Sequence, residues 1–415
     1  MKKQRALLLI ALVGVLSGCH RLSVHHKTLQ SVKTGIDVLE ADGFKELKGK
    51  KIGLITNMSA RDLMGRPTAA VLAGSPGVNL IRLFATEHGL WALSESPAID
   101  SSSIVLDGRS IQVVSLYGGN LKSMSPKPED LAGLDALVFD LPDIGARFYT
   151  YLTTMGLSLQ EAANLNIEFI VLDRPNPITG SIVEGPLLSA KTFARKKPTA
   201  YSPVSIRHGM TAGEIALLEN KKIGGKKLSV IKMEGWKRRM WFDETGLLWF
   251  PPSPNIPNLD AAALYPGIGI FEASNVSVGR GTPWPLTWIG APWLNSKKII
   301  SELNSLDIPG AKFIAADARP QKSVFSGQLC HGVRIKIANR KLLRPVSLFL
   351  NLNSILMRDF PQNFIWHWNQ ARLMVGTEQF HRLIESHADL KMLQSFFNHQ
   401  ASLFKKERKP YLLYP

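Results

Sequence analysis

Cysteine is nearly absent from this sequence. The 415-residue chain contains two, Cys19 and Cys330, which excludes a zinc site built from cysteine pairs. No intrachain disulfide is expected either, because the surroundings of Cys19 indicate that its sulfur is modified. Cys330 precedes His331, and a thiol nucleophile is one interpretation of that pair. A lone cysteine is more often a small buried residue, and we predict one here at a strand start.

The motifs of several enzyme classes are also missing. No Gly-x-Gly-x-x-Gly opens a helix after a predicted strand, and residues 266–270 depart from that pattern. The sequence contains no P-loop, no His-Glu-x-x-His and no Gly-x-Ser-x-Gly. Glu87 and His88 are residue types that bind metals, but the other candidate ligands are dispersed. We therefore expect no metal and no other cofactor.

Negative charge is scarce relative to positive charge. The chain has 50 Lys and Arg against 33 Asp and Glu, a formal net charge of +17. The cations are scattered, without the interleaved aromatic residues that stack on bases, so we expect no nucleic-acid partner. Anionic envelope polymers or lipid headgroups are plausible partners. A generally basic solvated surface explains the same composition.

No apolar run is long enough to span a bilayer as a mature helix. Lys2, Lys3 and Arg5 precede the short apolar stretch 6–15, and 16–19 reads Leu-Ser-Gly-Cys. This pattern predicts a lipoprotein signal peptide over 1–18, lipidation of Cys19 and a tether over 19–33. An ordinary signal peptide is the alternative. Histidine follows Cys19, which favours the outer membrane of a Gram-negative cell, facing the periplasm.

Short apolar runs alternate with helical patterns along the first half of the chain. Strands are predicted at 51–56, 78–84, 111–117, 136–140 and 168–173, and helices at 68–73, 153–164 and 215–219. Thr211 and Glu214 form a capping box that opens the last of these helices. The alternation predicts an α/β fold with a Rossmann-like, mostly parallel sheet. Such sheets bind ligands at the carboxyl ends of their strands.

Two domains are expected from the length. We assign 34–293 to the sheet domain, including a Pro-, Gly- and Trp-rich stretch, 250–292, interpreted as a long ordered loop lining the cleft. Residues 294–415 are predicted to form a smaller C-terminal α/β domain. Its predicted helices lie at 297–305 and 370–404, and its strands at 333–338 and 346–352.

Unusual polar segments follow most of the apolar runs. They lie at 86–89, 140–149, 173–177, 183–186, 207–211, 251–255 and 271–281. Loops at the carboxyl ends of parallel strands converge at one edge of the sheet. These segments are rich in carboxylates and arginines, so they indicate a carboxylate-driven enzyme acting on a polar substrate.

In this order, the segments resemble those of the bacterial family DUF1343 over roughly residues 34–415. Its characterised members are exo-β-N-acetylmuramidases of the NamZ type, glycoside hydrolases with a Rossmann-like domain and a smaller second domain. The resemblance implies release of terminal N-acetylmuramic acid from the non-reducing ends of peptidoglycan fragments. A non-catalytic envelope lipoprotein that binds muropeptides or glycan ends is the alternative.

Candidate catalytic residues follow from the needs of that reaction. Glycoside hydrolysis requires a carboxyl that protonates the leaving oxygen and a second carboxylate. Glu87 follows an apolar strand, where partial burial favours a protonated carboxyl, so we predict it as the acid. His88 would orient it or bind a substrate hydroxyl, and Glu184 is predicted as the second carboxylate. Asp140, Asp143 and Glu272 are the alternatives, and each competes with a purely structural role.

Recognition of the lactyl carboxylate of N-acetylmuramic acid is expected to use a guanidinium. The candidates are Arg147, Arg174 and Arg280, and pairing with neighbouring aspartates is their alternative role. Further predicted sugar contacts are Asp140, Asp143, Tyr149, Asn176, His208, Glu272 and Asn275. Trp284 or Trp288 would stack on a sugar face or belong to the core.

The loop after Gly89 departs from the pattern expected of the family. A turn rich in glycine and acidic residues is usual there, whereas residues 90–95 read Leu-Trp-Ala-Leu-Ser-Glu. Because this loop would flank the site, a changed substrate preference or a weaker enzyme is expected.

Overall fold

A computed structural model describes residues 31–93, 102–118, 120–225 and 227–415. The predicted signal peptide, Cys19, most of the tether and the last two residues of loop 90–95 lie outside the described residues. In the part that is described, no helix has the length and apolarity needed to cross a bilayer.

The larger sheet has seven strands in the order β3-β4-β2-β1-β5-β6-β9. All neighbours are parallel except β3 and β4, which confirms the mostly parallel α/β sheet. In chain order the strands are β1 Lys51–Thr56, β2 Asn79–Ala85, β3 Ser102–Leu106, β4 Arg109–Ser115, β5 Ala136–Asp140, β6 Glu168–Leu172 and β9 Leu228–Ile231.

Side chains of the central strands alternate between two apolar layers, because successive strand residues point to opposite faces. Leu137 and Phe139 pack into one buried cluster, and Ala136 and Val138 into the other. Helices α4 (Tyr151–Asn164) and α6 (Ala212–Lys222) contact β6 on the first face, and α1 (Gly35–Ala41) and α2 (Thr68–Gly74) contribute to the second cluster. The predicted capping box at Thr211 is present.

The described residues also form two small antiparallel sheets. One pairs β7 (Glu184–Leu187) with β8 (Ser205–Arg207), and the other has the order β10-β12-β11. Its strands are β10 Trp288–Ala291, β11 Ala311–Ala315 and β12 His331–Ile337. The remaining helices are α3 Pro128–Leu131, α5 Ala190–Phe193, α7 Leu259–Ile268, α8 Ser296–Ser305, α9 Pro345–Asp359, α10 Trp368–Val375, α11 Gln379–Glu385 and α12 Leu390–Glu407.

Two predictions for the second half were wrong. Residues 346–352 belong to helix α9, not to a strand; its first turn begins with Pro345, and it is buried on nearly all sides. The stretch 250–292 is not one long loop, because it contains α7, a 3₁₀ helix (Gly269–Ala273) and β10. Residues 31–415 form one compact unit, and the proposed boundary at 293/294 stays a prediction.

Candidate active site

A polar cavity of about 150 Å³ lies where several of the predicted segments meet. Glu87 and His88 come from the loop after β2, and Tyr149 and Thr150 from the loop before α4. The other lining residues are Phe148, Thr199, Ser253, Asn255, Ile256, Tyr265, Glu272, Arg280 and Leu286. Five of the predicted site residues therefore share one cavity: Glu87, His88, Tyr149, Glu272 and Arg280.

A tight turn presents Glu87 and His88 to the cavity. The Gly89 amide donates to the Thr86 carbonyl (2.9 Å), and His88 and Gly89 have φ values of 73° and 71°. Glycine suits this left-handed conformation, whereas histidine adopts it at a cost. Leu90 is buried, and its carbonyl accepts from the Met58 amide (2.7 Å). The turn is thereby fixed to the loop after β1.

Hydroxyl groups surround the Glu87 carboxylate. Thr150 Oγ1 donates to Glu87 Oε2, and the Tyr117 hydroxyl is hydrogen-bonded to the same carboxylate. Burial and the negative charge of Glu87 raise the pKa of Tyr117 to about 12, so this phenol remains a donor at neutral pH. The Tyr151 hydroxyl accepts from Asn57 Nδ2 (2.9 Å) and donates to the Pro252 carbonyl (2.6 Å). Tyr151 thus anchors the segment that carries Ser253.

A second carboxylate, Glu272, enters the cavity with a guanidinium partner. Arg280 Nε donates to Glu272 Oε1 at 2.5 Å, and both side chains are partly buried. The pKa of Tyr265 is raised by burial, then by the negative charge of Glu272, and also by Glu87. Tyr265 therefore lies within the electrostatic field of both carboxylates.

These contacts give the two carboxylates different surroundings. Hydroxyl groups of Thr150 and Tyr117 contact Glu87. Glu272 is paired instead with the Arg280 guanidinium. Glycoside hydrolysis uses two carboxyl groups in different roles, and the two in this cavity differ in their partners.

Glu184 does not line this cavity. Its Oε2 pairs with Arg207 Nη1 at 2.8 Å, and its Oε1 accepts from the Val346 amide at 3.2 Å. The side chain is buried, and Arg207 also donates to the Ile178 carbonyl. Glu184 thus connects β7 with the start of α9.

Asp140, Asp143 and Arg174 are engaged with partners outside this cavity. Arg174 forms a salt bridge with Asp140. Asp143 accepts from the Gly145 amide (2.8 Å) and lies 3.2 Å from His208 Nε2. Arg174 and Asp143 line a separate cavity of about 30 Å³, which has room for only about two water molecules.

Arg147, Asn176 and Asn275 bind backbone groups. Arg147 is fully buried and donates to the carbonyls of Pro186, Val204 and Met374, and burial lowers its pKa to about 9. A Cβ at Gly376 would lie 2.5 Å from its Nη1, so glycine is required there. Asn176 donates to the Met210 carbonyl, and Asn275 exchanges hydrogen bonds with Asn363 and Ile365.

Family models match almost the whole described chain. The N-terminal model of the exo-β-N-acetylmuramidase NamZ matches residues 52–260, and the C-terminal model matches residues 263–414. This chain belongs to the NamZ family. It is 37% identical over 386 residues to the peptidoglycan β-N-acetylmuramidase NamZ of Bacillus subtilis, covering 92% of this chain and 91% of that protein.

Solved structures of the NamZ family, earlier labelled DUF1343, have the same fold. A crystal structure of a DUF1343 protein from Bacteroides fragilis gives a TM-score of 0.83 at 31% identity, covering 93% of this chain and 99% of that one. A second DUF1343 protein from the same species gives 0.70 at 27% identity with the same coverage.

Sequence reasoning missed several residues around this NamZ-family cavity. They are Tyr117, Thr150, Thr199 and Tyr265, while Ser253 and Asn255 were recognised only as part of a polar segment. Thr150 directly follows the predicted polar segment 140–149, and that position was an available signal. Tyr265 lies inside α7, in the stretch interpreted as a loop, and carried no such signal.

The tryptophans and Cys330 lie outside the cavity. Trp288 is buried, and its indole donates to the Ala316 carbonyl (2.7 Å), whereas the Arg334 guanidinium lies 5.2 Å from the Trp284 ring. Cys330 is buried directly before β12, as predicted, and burial raises its pKa to about 11. Within the described residues, no three His, Cys, Asp or Glu side chains form a group able to hold a metal ion.

Proposed function

We propose that this chain is an exo-acting β-N-acetylmuramidase that releases terminal N-acetylmuramic acid from the non-reducing ends of peptidoglycan fragments. The observation that carries the proposal is the pair Glu87 and Glu272 in one polar cavity, with hydroxyl partners on one and a guanidinium on the other. The activity named for the Bacillus subtilis relative supports it.

Glu87 is the proposed general acid. It protonates the glycosidic oxygen as the bond from that oxygen to the anomeric carbon breaks, and the leaving sugar keeps the proton. Tyr117 and Thr150 hold the carboxyl in place. His88, from the same turn, lies where it can bind a substrate hydroxyl.

Glu272 takes the role of second carboxylate in this proposal, in place of Glu184. Glu184 is occupied by Arg207 and lies outside the cavity lining, whereas Glu272 shares the cavity with Glu87. An ionised carboxylate there stabilises positive charge that develops on the sugar ring. Water supplies the hydroxyl group that ends on the anomeric carbon, and the proton that the water loses restores the carboxyl of Glu87.

Arg280 is the residue proposed to bind the lactyl carboxylate. Among the described residues that line the cavity it is the one arginine, and its partner Glu272 fixes its position. A guanidinium contacts a carboxylate through several N–H groups at once. Tyr149, Ser253 and Asn255 line the same cavity and supply polar groups for sugar hydroxyls and the acetamido group.

Turnover of two chromogenic substrates tests this assignment. The full chain is expected to release the chromophore from a β-N-acetylmuramide and not from the matching β-N-acetylglucosaminide. Glu87→Gln is expected to lose about 10²- to 10⁴-fold in kcat while it still binds N-acetylmuramic acid, because only proton donation is removed. Glu234→Gln, a matched change at an exposed residue, is expected to keep its activity.

Two outcomes would contradict the proposal. Full activity of Glu87→Gln would show that Glu87 is not the general acid. Absence of turnover in the wild type, with muropeptide binding intact, would favour the non-catalytic envelope lipoprotein.

We further propose that the protein is anchored in the cell envelope through lipidated Cys19. The support is the sequence of residues 1–19, with its cations, short apolar stretch and Leu-Ser-Gly-Cys end. Metabolic labelling with an alkyne-tagged fatty acid is expected to label the wild type and Cys330→Ser but not Cys19→Ser. Labelling of Cys19→Ser would contradict the anchor.

A further inference from the structure

An open groove of about 650 Å³ lies beside the elements that form the active-site cavity. Helix α7 contributes Ala263 to the groove and Tyr265 to the cavity. The segment before α7 contributes Trp249 to the groove and Ser253 to the cavity. The groove volume falls within the roughly 300–1,000 Å³ typical of small-ligand sites. Nothing in the proposed hydrolysis uses it.

The aromatic part of the groove is rigid. Trp249 is partly exposed, its indole donates to the Pro257 carbonyl (3.2 Å), and Phe242 packs edge-on against it with ring centroids 5.2 Å apart. Trp241 is buried, and the Arg340 guanidinium lies 5.2 Å from its ring. A tryptophan held in this way offers an apolar surface at little cost in side-chain entropy.

Polar side chains border the aromatic part. Asp243, Asn258, Asp260 and Arg340 line the groove. Arg340 is fixed by salt bridges to Asp243 and Glu244. Asn258 Oδ1 accepts from the Ala261 amide (3.0 Å) and so is held in place as the cap of α7. Apolar surface next to oriented carboxylate, amide and guanidinium groups suits a pyranose ring, which has apolar faces and a rim of hydroxyls.

The charge at the groove favours a neutral sugar over an anionic one. The chain carries a formal +17, yet two carboxylates, Asp243 and Asp260, line this groove against one guanidinium, that of Arg340. Arg340 has a further carboxylate partner, Glu244, outside the lining. Local negative charge disfavours an anionic ligand such as a muramic acid residue. A neutral N-acetylhexosamine meets no such repulsion.

We propose that this groove binds the neutral N-acetylglucosamine residues of a glycan strand, with Trp249 stacking on a sugar ring. The groove would hold a strand near the cavity that removes its terminal residue. The identification of the strand as peptidoglycan rests on the proposed function, whereas binding of N-acetylglucosamine by the groove does not.

Calorimetric titration of the full chain with chitotetraose tests the proposal. This oligomer of N-acetylglucosamine has no lactyl group, so it isolates the groove from the specificity proposed for the cavity. The wild type is expected to bind it, and Trp249→Ala is expected to weaken binding by about tenfold or more. Asp260→Ala, at an exposed residue, is expected to weaken binding without affecting the fold. Phe193→Ala, a partly exposed aromatic residue outside the groove, is the control and should bind as the wild type does.

Activity measurements separate the groove from the cavity. Trp249→Ala and Asp260→Ala are expected to keep wild-type turnover of the small chromogenic muramide and to release N-acetylmuramic acid more slowly from long glycan strands. The proposal would be overturned if the wild type did not bind chitotetraose. It would also be overturned if Trp249→Ala and Asp260→Ala bound chitotetraose as tightly as the wild type does. Failure of the muramide assay in the wild type would instead contradict the proposed function and leave the titration result standing.

Discussion

At the residue scale, burial and partners separate arginines that look alike in the sequence. Arg147 and Arg280 both lie in polar segments that also contain a carboxylate. Arg147 is fully buried and donates to three carbonyls, which leaves no face for a substrate. Arg280 is partly exposed at the cavity and pairs with Glu272. Arg280, at the cavity surface, is therefore the arginine suited to binding the lactyl carboxylate of a substrate.

Replacement of Arg280 by Gln is expected to change specificity as well as activity. Hydrogen bonds to a charged group contribute about 1.5–3 kcal/mol, so binding of free N-acetylmuramic acid should weaken roughly 10- to 150-fold. Binding of the methyl ester of N-acetylmuramic acid, which keeps the lactyl group without its charge, should change by no more than about threefold. Calorimetry with both sugars measures the two effects, and Arg334→Gln, which lies outside the cavity lining, is the matched control. Equal weakening for both sugars would mean that Arg280 only positions Glu272.

The candidate site was predictable where it depended on loops after strands. Glu87 and His88 were found because they directly follow β2, and Glu272 and Arg280 because they lie in one polar segment. Nothing in the amino-acid sequence ranks Glu184 below Glu272 as the second carboxylate. That ranking depends on partners distant in the chain, such as Val346, which lies 162 positions from Glu184. Likewise, Met374 is 227 positions from Arg147.

At the scale of secondary-structure elements, the pattern of apolar residues in the sequence predicted the parallel strands correctly. It did not predict the most buried helices. Strand β5 was predicted with its observed bounds, because a short run of apolar residues between polar neighbours is typical of a buried strand. Residues 346–352 present the same short apolar run but form α9, since this helix packs against α7, α8, α12 and β7 and has little polar surface. A helix without an exposed face shows no 3.6-residue alternation.

Helix α7 was missed for a related reason. It contains Pro266 and Gly267, which disfavour a helix, and residues 261–268 are all buried, so no polar face gives the sequence a helical periodicity. The consequence for function is direct, because α7 supplies Tyr265 to the cavity and Ala263 to the groove. The cap residue Asn258 and the run Ala261–Leu264, made of strong helix formers, were the available signs of this helix.

At the scale of the whole molecule, hydrogen bonds from the C-terminal residues connect the second half of the chain to the large sheet and the segments that follow its strands. Arg408 donates to the carbonyls of Gly180 and His208, and the Pro415 carbonyl accepts from the Arg238 amide (2.7 Å). Tyr414 packs against Trp236 and donates to Asp173 Oδ2 at 2.6 Å, at the end of β6. These C-terminal residues thus reach the carboxyl end of β6.

This contact makes stability depend on pH. Burial raises the pKa of Asp173 to about 6, while hydrogen bonds from Tyr414, Gly213 and Thr211 oppose the rise. Because this value exceeds the ordinary 3.8, the folded protein holds the proton more tightly than the unfolded chain. The contribution of Asp173 to stability therefore falls as pH rises from about 4 to 6 and stays low above that.

Removal of the Tyr414 hydroxyl is expected to cost more at pH 8 than at pH 5. At pH 5 the hydroxyl donates a hydrogen bond to a mostly neutral carboxyl, and such a bond contributes about 1 kcal/mol to stability. At pH 8 it donates to a carboxylate, and that bond contributes about 1.5–3 kcal/mol. Urea unfolding of Tyr414→Phe and the wild type at both pH values measures the difference. Tyr411→Phe, a matched change three positions earlier, is the control and should show no such dependence on pH. An equal loss of stability at pH 5 and pH 8 would show that the hydroxyl does not stabilise the charge on Asp173.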